Sequence, residues 1–217
     1  MKTLILLVLF LLGVGGAAQA QIELVGTLGS SGATLSSNIF GNSQRLAQQF
    51  TLTSGNWAVS SVTTRLESFF SSTPIASLAL DSGGQPGSVL ESQIYSGPSL
   101  AGEPTTDIVF SGWSVTLAPG TYWLELQQSG PVESGFDWLA VDTNTPGALV
   151  NATGVAGHFE DRYAQSDDNG TSWNVDTGLP GSDPYYFQIN GSVVPEPVTL
   201  GLLALGGMGL LVHRRKK

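Results

Sequence analysis

The 217-residue chain contains no cysteine, which excludes disulfides, thiolate metal sites and a cysteine nucleophile. Charged residues are also scarce, at 12% of the sequence, and basic ones are nearly missing from its middle. Between residues 21 and 193, three arginines stand against sixteen acidic residues, a net charge of −13. So acidic a domain disfavours nucleic acid and anionic lipid as partners.

The middle of the chain also lacks any sustained apolar period of 3.6 residues, which argues against helices. It consists of short runs rich in β-branched and aromatic residues, separated by Gly, Pro, Asp and Ser. This pattern predicts an all-β fold, an antiparallel β-sandwich, and leaves jelly-roll and immunoglobulin-like wiring both open. Alternation in one run directs Tyr122, Leu124 and Leu126 to the core. The predicted strands are 48–53, 58–70, 75–81, 89–95, 107–110, 113–117, 121–127, 136–141, 158–164 and 185–189.

Long apolar runs occur only at the two ends of the chain. At the start, Lys2 precedes an apolar stretch, and Ala18-Gln19-Ala20 is a small-x-small cleavage sequence. Residues 1–20 are therefore predicted to be a signal peptide that signal peptidase removes beside Ala18 and Ala20. Residues 21–43 are rich in Gly, Ser and Asn, so a loosely ordered entry segment is expected before a domain at 44–193.

The other end, residues 194–217, has three parts in a fixed order. Pro195-Glu196-Pro197 is followed by an uncharged apolar run, 198–212, and by a basic end, 213–217. As a single transmembrane helix the run would rise about 22 Å, short of the ~30 Å hydrocarbon core, so it would span with help from snorkelling flanks. Basic residues beside an apolar segment stay on the cytoplasmic side. Those expected to orient the helix are Arg214, Arg215, Lys216 and Lys217.

These three parts resemble the PEP-CTERM sorting signal of exopolysaccharide-producing Gram-negative bacteria. The resemblance implies recognition by an exosortase, a membrane cysteine transpeptidase that processes the tail near Pro195-Glu196-Pro197. The protein would be held in the inner membrane before processing and would then be released or re-anchored at the cell surface or in the extracellular matrix. The alternative is a plain C-terminal membrane anchor that contains Pro-Glu-Pro by chance.

A second resemblance concerns residues 44–191. The segments 46–51, 81–90 and 117–124 occur in an order similar to that of choice-of-anchor surface domains, above all the choice-of-anchor R type. Those β-domains are named for their alternative anchoring tails. The family has no assigned catalytic residues, so the resemblance implies a surface domain without a transferable active site.

Residues 166–173 fit the S-x-D-x-G-x-[ST]-W pattern of an Asp-box. Asp168 is expected to accept hydrogen bonds across the turn that Ser166 begins, Gly170 to supply a positive φ, and Trp173 to pack beneath a hairpin. In sialidase-like propellers, which the segment resembles locally, the box is a structural turn away from the active site. A single copy without a repeating period argues against a propeller here.

Acidic residues crowd the same region, and Asp161, Asp167 and Asp168 are candidate calcium ligands together with Asp176 and Asp183. Hard cations take six to eight oxygen ligands. However, the turn lacks the full D-x-[DN]-x-[DN]-G ladder and its distal Glu. Solvated turn acids are therefore the favoured interpretation, and calcium is a hypothesis; no other cofactor is indicated.

Catalytic interpretations are weaker. His158 is the single histidine between residues 21 and 193, and no Gly-x-Ser-x-Gly elbow accompanies it, which argues against a Ser-His-Asp triad. Carboxylate pairs for glycoside hydrolysis arise by chance in so acidic a domain. The acids from which such a pair could be drawn are Glu125, Glu133, Asp137, Glu160 and Asp161.

The large aromatic residues allow two interpretations. Most of them are needed for the core of a domain with few other large side chains, but some could form an exposed face that stacks on sugar rings. The residues concerned are Trp57, Trp113, Trp123, Trp138, Trp173, Tyr185 and Tyr186.

Together these patterns predict an exported, non-catalytic component of a bacterial cell surface, exopolysaccharide matrix or biofilm. A carbohydrate-binding module or adhesin is the alternative, and a glycoside hydrolase is less favoured.

Overall fold

The computed structural model contains thirteen β-strands and no helix within the residues that it describes. Every strand pair is antiparallel, so the prediction of an all-β antiparallel fold is confirmed. The described residues are 21–31, 34–40, 43–68, 73–102, 104–129, 135–144, 153–176 and 183–195. The strands are β1 Ile22–Gly26, β2 Thr34–Phe40, β3 Arg45–Leu52, β4 Trp57–Glu67, β5 Pro74–Asp81, β6 Pro86–Ile94, β7 Thr106–Ser111, β8 Thr116–Leu117, β9 Gly120–Gln128, β10 Gly135–Val141, β11 Gly157–Ser166, β12 Asn174–Asp176 and β13 Phe187–Val193.

The strands form two sheets. One has seven strands in the order β1-β13-β4-β10-β2, with β7 and β8 also paired to β4, and the other has the order β12-β11-β3-β9-β5-β6. The largest group of buried apolar side chains includes Tyr122, Leu124 and Leu126, as the alternation predicted. Trp123 between them belongs to a smaller cluster, which places it on the outer face of the six-stranded sheet.

The first two strands correct the expectation of a loosely ordered entry at residues 21–43. Strand β1 pairs with β13, and β2 pairs with β10 along its whole length. Leu24, Val25 and Ile39 are fully buried. The Gly- and Ser-rich composition suggested a loop, but the distant partner strands supply the hydrogen bonds and the apolar contacts that local sequence does not reveal.

Two further strands differ from the prediction. The run 113–117 forms only the two-residue strand β8, because Gly112 has a φ of 87° and the Trp113 side chain folds back to donate from Nε1 to the Phe110 carbonyl at 3.0 Å. Strand β12 was not predicted; it pairs with the edge of β11 through Asn174–Asp176.

The strands run between two ends of the sandwich, which we call the exit pole and the far pole. At the exit pole the end of β3 meets the starts of β9 and β11, and the last residue of β13 pairs with the first of β4. The exit pole consists of residues 53–57, 115–120, 153–158 and 193–195. The far pole is the opposite end, where β4, β9 and β11 end and where β3, β5, β7 and β10 begin.

Candidate functional site

A bulge in β11 opens a cleft on the outer face of the six-stranded sheet. Phe159 and Tyr163 keep partners on β3, but residues 160–162 between them stand opposite the single residue Gln49. Bulges of this kind bend a strand and re-aim its side chains. The cleft has a volume of about 640 Å³ and is lined by Gln49, Asp81, Gly83, Gly84, Thr121, Glu160, Asp161 and Arg162.

Gln48 holds the bulge from the core side. Its side chain is 1% exposed, and its Nε2 donates to the carbonyls of Glu160 at 2.8 Å and Arg162 at 3.0 Å. Its Oε1 accepts from the backbone N–H of Tyr185 at 3.2 Å. These carbonyls stand where β11 is out of register with β3, and a buried carbonyl without a partner costs about 1–3 kcal/mol. Gln48 therefore fixes the strand segment that carries three lining side chains, a role that the sequence pattern did not reveal.

The turn between β5 and β6 forms the opposite wall. The Asp81 carboxylate accepts from Gln49 Nε2 at 2.7 Å, from Trp123 Nε1 at 2.8 Å and from the Gly84 N–H at 3.1 Å. Gly84 has a φ of 86°, and a Cβ placed there would lie 2.5 Å from Arg162 Nη1. The guanidinium of Arg162 therefore rests directly over the glycine, and a side chain at this position would displace it.

Glu160 is fixed at the side of the cleft nearest the exit pole. Its Oε1 accepts from Thr51 Oγ1 at 2.6 Å, and Thr51 in turn shares a 3.0 Å hydrogen bond with Thr121. The His158 ring lies 3.1 Å from the same carboxylate and forms an ion pair with it when protonated. Two of the carboxylates in the cleft, Asp81 and Glu160, are thus held in place before any ligand binds.

The charge balance of the cleft is acidic. Partial burial raises the pKa of Asp161, and the nearby charges of Asp176 and Asp183 raise it further. Three carboxylates, which only accept hydrogen bonds, face one guanidinium, that of Arg162, which only donates them. Such a site suits a ligand that presents several O–H or N–H donors.

The acids considered for glycoside hydrolysis are dispersed. Of them, Glu160 and Asp161 come together, in the cleft. Glu125 is 2% exposed on β9, and Asp137 is 3% exposed on β10, which belongs to the other sheet. Glu133 lies outside the described residues.

The Asp-box-like segment forms a closed turn at the far pole. Asp168 accepts from Ser166 Oγ at 2.8 Å, from the Ser172 N–H at 2.8 Å and from Ser172 Oγ at 2.6 Å. Hydrogen bonds from Ser172, with a further one from Ser166, lower the pKa of Asp168 to about 2. Gly170 has a φ of 81° and donates its N–H to Ser166 Oγ, and Trp173 packs on the buried cluster of the outer face. The geometry is that of a structural turn.

Arg45 joins this turn to the sheet. Its Nη2 donates to Asn169 Oδ1 at 2.7 Å, and its Nη1 lies 3.1 Å from Glu125 Oε2. Burial raises the pKa of Glu125, and Arg45 opposes that shift. This pair was not predicted, because Arg45 lies before the predicted strand 48–53 and the pairing of β3 with β9 is not visible in the sequence.

The candidate calcium ligands have separate partners. Asp167 accepts from Gln44 and Gln165, the Asp168 carboxylate is occupied by its own turn, and Asp161 lies in the cleft. Among the described residues no group of three His, Asp or Glu side chains is arranged to hold a metal ion. Calcium binding stays a prediction.

The hypothesis of an exposed aromatic face is wrong for the residues on which it was based. Trp138 Nε1, for example, donates to the Tyr186 carbonyl at 3.0 Å, and the Trp138 ring stacks on Tyr185 with 4.3 Å between centroids. Trp173 is partly exposed, but it packs against the outer cluster. The buried members of the set are Trp57, Trp113, Trp123, Trp138, Tyr185 and Tyr186.

The chain leaves the fold directly from its last strand. Strand β13 is hydrogen-bonded on both sides, and its ladder continues to the pair Val193–Trp57. One further backbone bond follows, from the Val194 N–H to the Asn56 carbonyl at 2.8 Å. Pro195 is exposed immediately afterwards. The first residue of the sorting motif therefore lies at the surface of the exit pole.

The other predicted sorting residues lie outside the described part of the chain. They comprise the signal-cleavage residues Ala18 and Ala20, the rest of the motif at Glu196 and Pro197, and the tail at 198–217. Within the ranges that the structure describes, no helix is long and apolar enough to cross a membrane.

Comparison with known proteins identifies the end of the chain. Residues 193–216 match the family model of the PEP-CTERM protein-sorting motif. The recognition of this signal in the sequence is confirmed, and the motif marks the chain as an exported protein that an exosortase sorts. The resemblance of residues 44–191 to the choice-of-anchor R type stays a prediction. Among curated proteins, none matches the chain.

Several solved structures are similar to the chain at low identity. A family two carbohydrate esterase from Clostridium thermocellum, an active site mutant, is 11% identical over 59% of this chain and 33% of its own, with a TM-score of 0.30. The carbohydrate-binding module CBM36 in complex with calcium and xylotriose is 13% identical over 54% of this chain and 93% of its own, with a TM-score of 0.31. The VP2 subviral particle of infectious bursal disease virus is 12% identical over 90% of this chain and 49% of its own, with a TM-score of 0.30. The chain spans about a third of the esterase, and at these TM-scores none of the three informs its function.

Proposed function

We propose that this exported protein is a non-catalytic component of the bacterial cell surface or extracellular matrix, with a structural or interaction role in an exopolysaccharide or biofilm. The observation that carries the proposal is the sorting motif at residues 193–216, which follows the last strand of the sandwich without a spacer. A protein sorted in this way is delivered outside the cell, where an acidic, cysteine-free β-sandwich stays folded without disulfides.

The proposed route has three steps. Signal peptidase removes residues 1–20 during export, the apolar run 198–212 holds the protein in the inner membrane of a Gram-negative host, and the exosortase then processes the chain at Pro195-Glu196-Pro197. The basic residues 214–217 stay on the cytoplasmic side and orient the tail. The folded domain then passes to the cell surface or the matrix.

Replacement of Pro195, Glu196 and Pro197 by alanine tests this route. The variant should accumulate as a full-length membrane-bound form, detected by an epitope tag placed after Lys217. Thr199→Ala, a substitution in the same tail that keeps the motif, should mature normally. Normal maturation of the triple variant would show that processing does not require Pro195-Glu196-Pro197, and this outcome would contradict the proposed route.

The cleft at the β11 bulge favours a second candidate function, binding of a saccharide. Its lining combines carboxylate acceptors, the Arg162 donor, the Gln49 amide and the Thr121 hydroxyl around an open volume of about 640 Å³. Sugar hydroxyls donate and accept hydrogen bonds, so a neutral saccharide would satisfy these groups. A negatively charged one would meet the repulsion of Asp81, Glu160 and Asp161.

Affinity electrophoresis of the processed protein on the host polysaccharide tests the second candidate. A double variant, Glu160→Gln with Asp161→Asn, should lose most of the retardation because it replaces two carboxylates, which accept at both oxygens, with neutral amides that accept at only one. Asp167→Asn, a substitution on the surface of the far pole, should keep it. Equal retardation of both variants, or none for the native protein, would exclude the cleft as a saccharide site.

A further inference from the structure

The exit pole and the sorting tail are joined by a very short tether. Four residues, 194–197, separate the end of β13 at Val193 from the apolar run at 198–212. Even a fully extended chain of four residues spans only about 14 Å. The Val194 N–H is bonded to the Asn56 carbonyl, which shortens the free part further. While the tail is in a bilayer, the exit pole must therefore lie within this distance of the membrane surface.

The loops of the exit pole are fixed by hydrogen bonds. Residues 153–156 are bonded to β1 by reciprocal Thr153–Gly26 backbone bonds of 2.9 Å and by the Ala156 N–H to the Leu24 carbonyl at 3.1 Å. In a neighbouring loop, Trp57 Nε1 donates to the Ser54 carbonyl at 2.6 Å. The pole is thus a defined surface whose orientation follows that of the sandwich.

This surface carries no Asp, Glu, Lys or Arg in any of its four segments, 53–57, 115–120, 153–158 and 193–195. Val155 is 69% exposed and Val193 is 47% exposed, so apolar groups face outward beside the point where the chain leaves. Carboxylates from outside these segments contact the pole and are partly buried: Glu23 accepts from Thr153 Oγ1, Glu91 accepts from the Val115 N–H at 2.7 Å, and Glu160 lies 3.1 Å from the His158 ring.

The far pole has the opposite character. Asp167 and Asp168 lie exposed in the Asp-box turn there, and Asp107, which is 44% exposed, is paired with Arg65 at 2.7 Å. An inner membrane that contains anionic lipid repels such groups over roughly a Debye length, about 8–10 Å. For a domain with a net charge of −13 between residues 21 and 193, repulsion is weakest when the uncharged end is next to the lipid.

From the tether and the charge distribution we infer that the exit pole rests on the surface of the phospholipid bilayer while the tail is inserted, with the far pole directed away. The inference rests on the proposed function, because it requires the run 198–212 to enter the membrane. It adds a defined docking surface and a fixed orientation for the unprocessed, membrane-held protein that is the substrate of the exosortase. The processing motif would then be presented at the lipid headgroups, beneath the sandwich.

Because the chain has no cysteine, single-cysteine variants of the full-length protein can test this orientation. Val155→Cys places a thiol on the exit pole. Val109→Cys places one on β7, another exposed valine, about 20 Å along β4 from the pole, and Ser96→Cys places one near the far pole. Each variant is labelled with a fluorophore and reconstituted in vesicles of phosphatidylethanolamine and phosphatidylglycerol that carry a headgroup-attached quencher.

Quenching at Val155→Cys should exceed that at Val109→Cys by about twofold or more and should be weakest at Ser96→Cys, because the tether holds the pole within ~14 Å of the surface. A flexible ten-residue Gly-Ser insertion between Val194 and Pro195 should abolish the difference, since it extends the reach of the tether. Equal quenching at the three sites, or the strongest quenching at Val109→Cys, would overturn the docked orientation. If the full-length protein does not float with the vesicles at all, the membrane-held step of the proposed function fails, and the orientation fails with it.

Discussion

The two poles of the sandwich are held together by different interactions. At the exit pole, many of the connections join backbone groups, as in the reciprocal Gly26–Thr153 pair and the bond from Thr53 to Ala156, and the Glu23 and Glu91 carboxylates add bonds to Thr153 and Val115. At the far pole, charged side chains make the connections, through Arg45 with Glu125 and Asn169, and through the Asp168 turn. The segments of one end therefore contain no Asp, Glu, Lys or Arg and are joined largely by backbone bonds, whereas the other end carries exposed acids and is joined by ion pairs and carboxylate hydrogen bonds.

This difference separates two requirements of a membrane-tethered acidic protein. The end beside the bilayer avoids charge that lipid headgroups would repel, while the acidic groups that favour solubility occupy the remaining surface. It also predicts different responses to pH. Backbone hydrogen bonds do not titrate, so a substitution that disturbs only backbone contacts at the exit pole should cost the same free energy at every pH, whereas loss of an ion pair or a carboxylate hydrogen bond at the far pole should cost an amount that depends on pH.

The largest effect is expected at the buried pair of the far pole. Arg45→Met leaves the 2% exposed Glu125 without its partner and should lower the free energy of unfolding by about 3 kcal/mol near pH 7. Burial already raises the pKa of Glu125, and loss of Arg45 raises it further. A carboxyl whose folded pKa is raised gains stability as pH falls, so the deficit should shrink toward pH 4–5, roughly the range of an ordinary Glu.

Urea unfolding of the native protein and of Arg45→Met, near pH 7 and at about pH 4–5, measures this loss of stability. The matched control is the double variant Arg45→Met with Glu125→Leu, which removes the buried charge as well and should recover most of the stability. A deficit that does not change with pH would mean that the pair acts through packing alone.

A smaller loss of stability, from backbone groups that do not titrate, is expected when Gly154 in the exit pole is substituted. Gly154 has a φ of 124°, and a Cβ there would lie 2.2 Å from the Leu24 carbonyl oxygen. Gly154→Ala should therefore cost about 2 kcal/mol, from backbone strain together with displacement of the loop from β1. Gly102→Ala is the control: Gly102 has a φ of 70° with no atom within 4 Å of its Cβ position, so strain alone should cost about 1 kcal/mol.

Thermal and urea unfolding measure the stability of the two glycine variants at neutral and at acidic pH. If the Gly154→Ala deficit changes with pH as the Arg45→Met deficit does, the distinction between the poles fails.

The smallest effect is expected from the Asp-box turn. The pKa of Asp168 is lowered from 3.8 to about 2 by hydrogen bonds from Ser172 and Ser166. A lowered folded pKa contributes stability that is present above the unfolded pKa and is lost as pH falls through the folded value. Asp168→Asn should therefore be less stable than the native protein above about pH 4, and the difference should vanish near pH 2.

Ser172→Ala should give a weaker deficit with the same pH profile, because it removes the hydroxyl donor and leaves the backbone donor in place. Chemical denaturation across the acidic range provides the measurement. A deficit that persists undiminished at pH 2 would assign the effect of Asp168 to something other than its charge.

The sequence predicted the parts of this molecule that rest on local patterns. Alternation identified the core side chains of β9, and the tail was recognisable because motif, apolar run and basic end follow one another without interruption. The strand β2 was missed because its Ser- and Asn-containing sequence resembles a loop, and it forms only because β10 pairs with it along its whole length.

The cleft could not be predicted from the sequence. It depends on residues 160–162 standing opposite Gln49, a mismatch in register that two separate strands create only once they are paired. Gln48, which holds the bulge, appeared as an ordinary strand residue. The exposed aromatic face was wrongly predicted for a related reason. Composition gives the number of aromatic residues, but the packing of the two sheets determines which of them are buried.

The most direct test of the central claim is the intact mass of the protein recovered from the cell surface or the culture medium of its host. Sorting by an exosortase predicts a species that begins at Gln21 and has lost the apolar run 198–212 and the basic end, with or without an added anchoring group at its new C-terminus. Recovery of a species that still contains residues 198–217 would contradict the account.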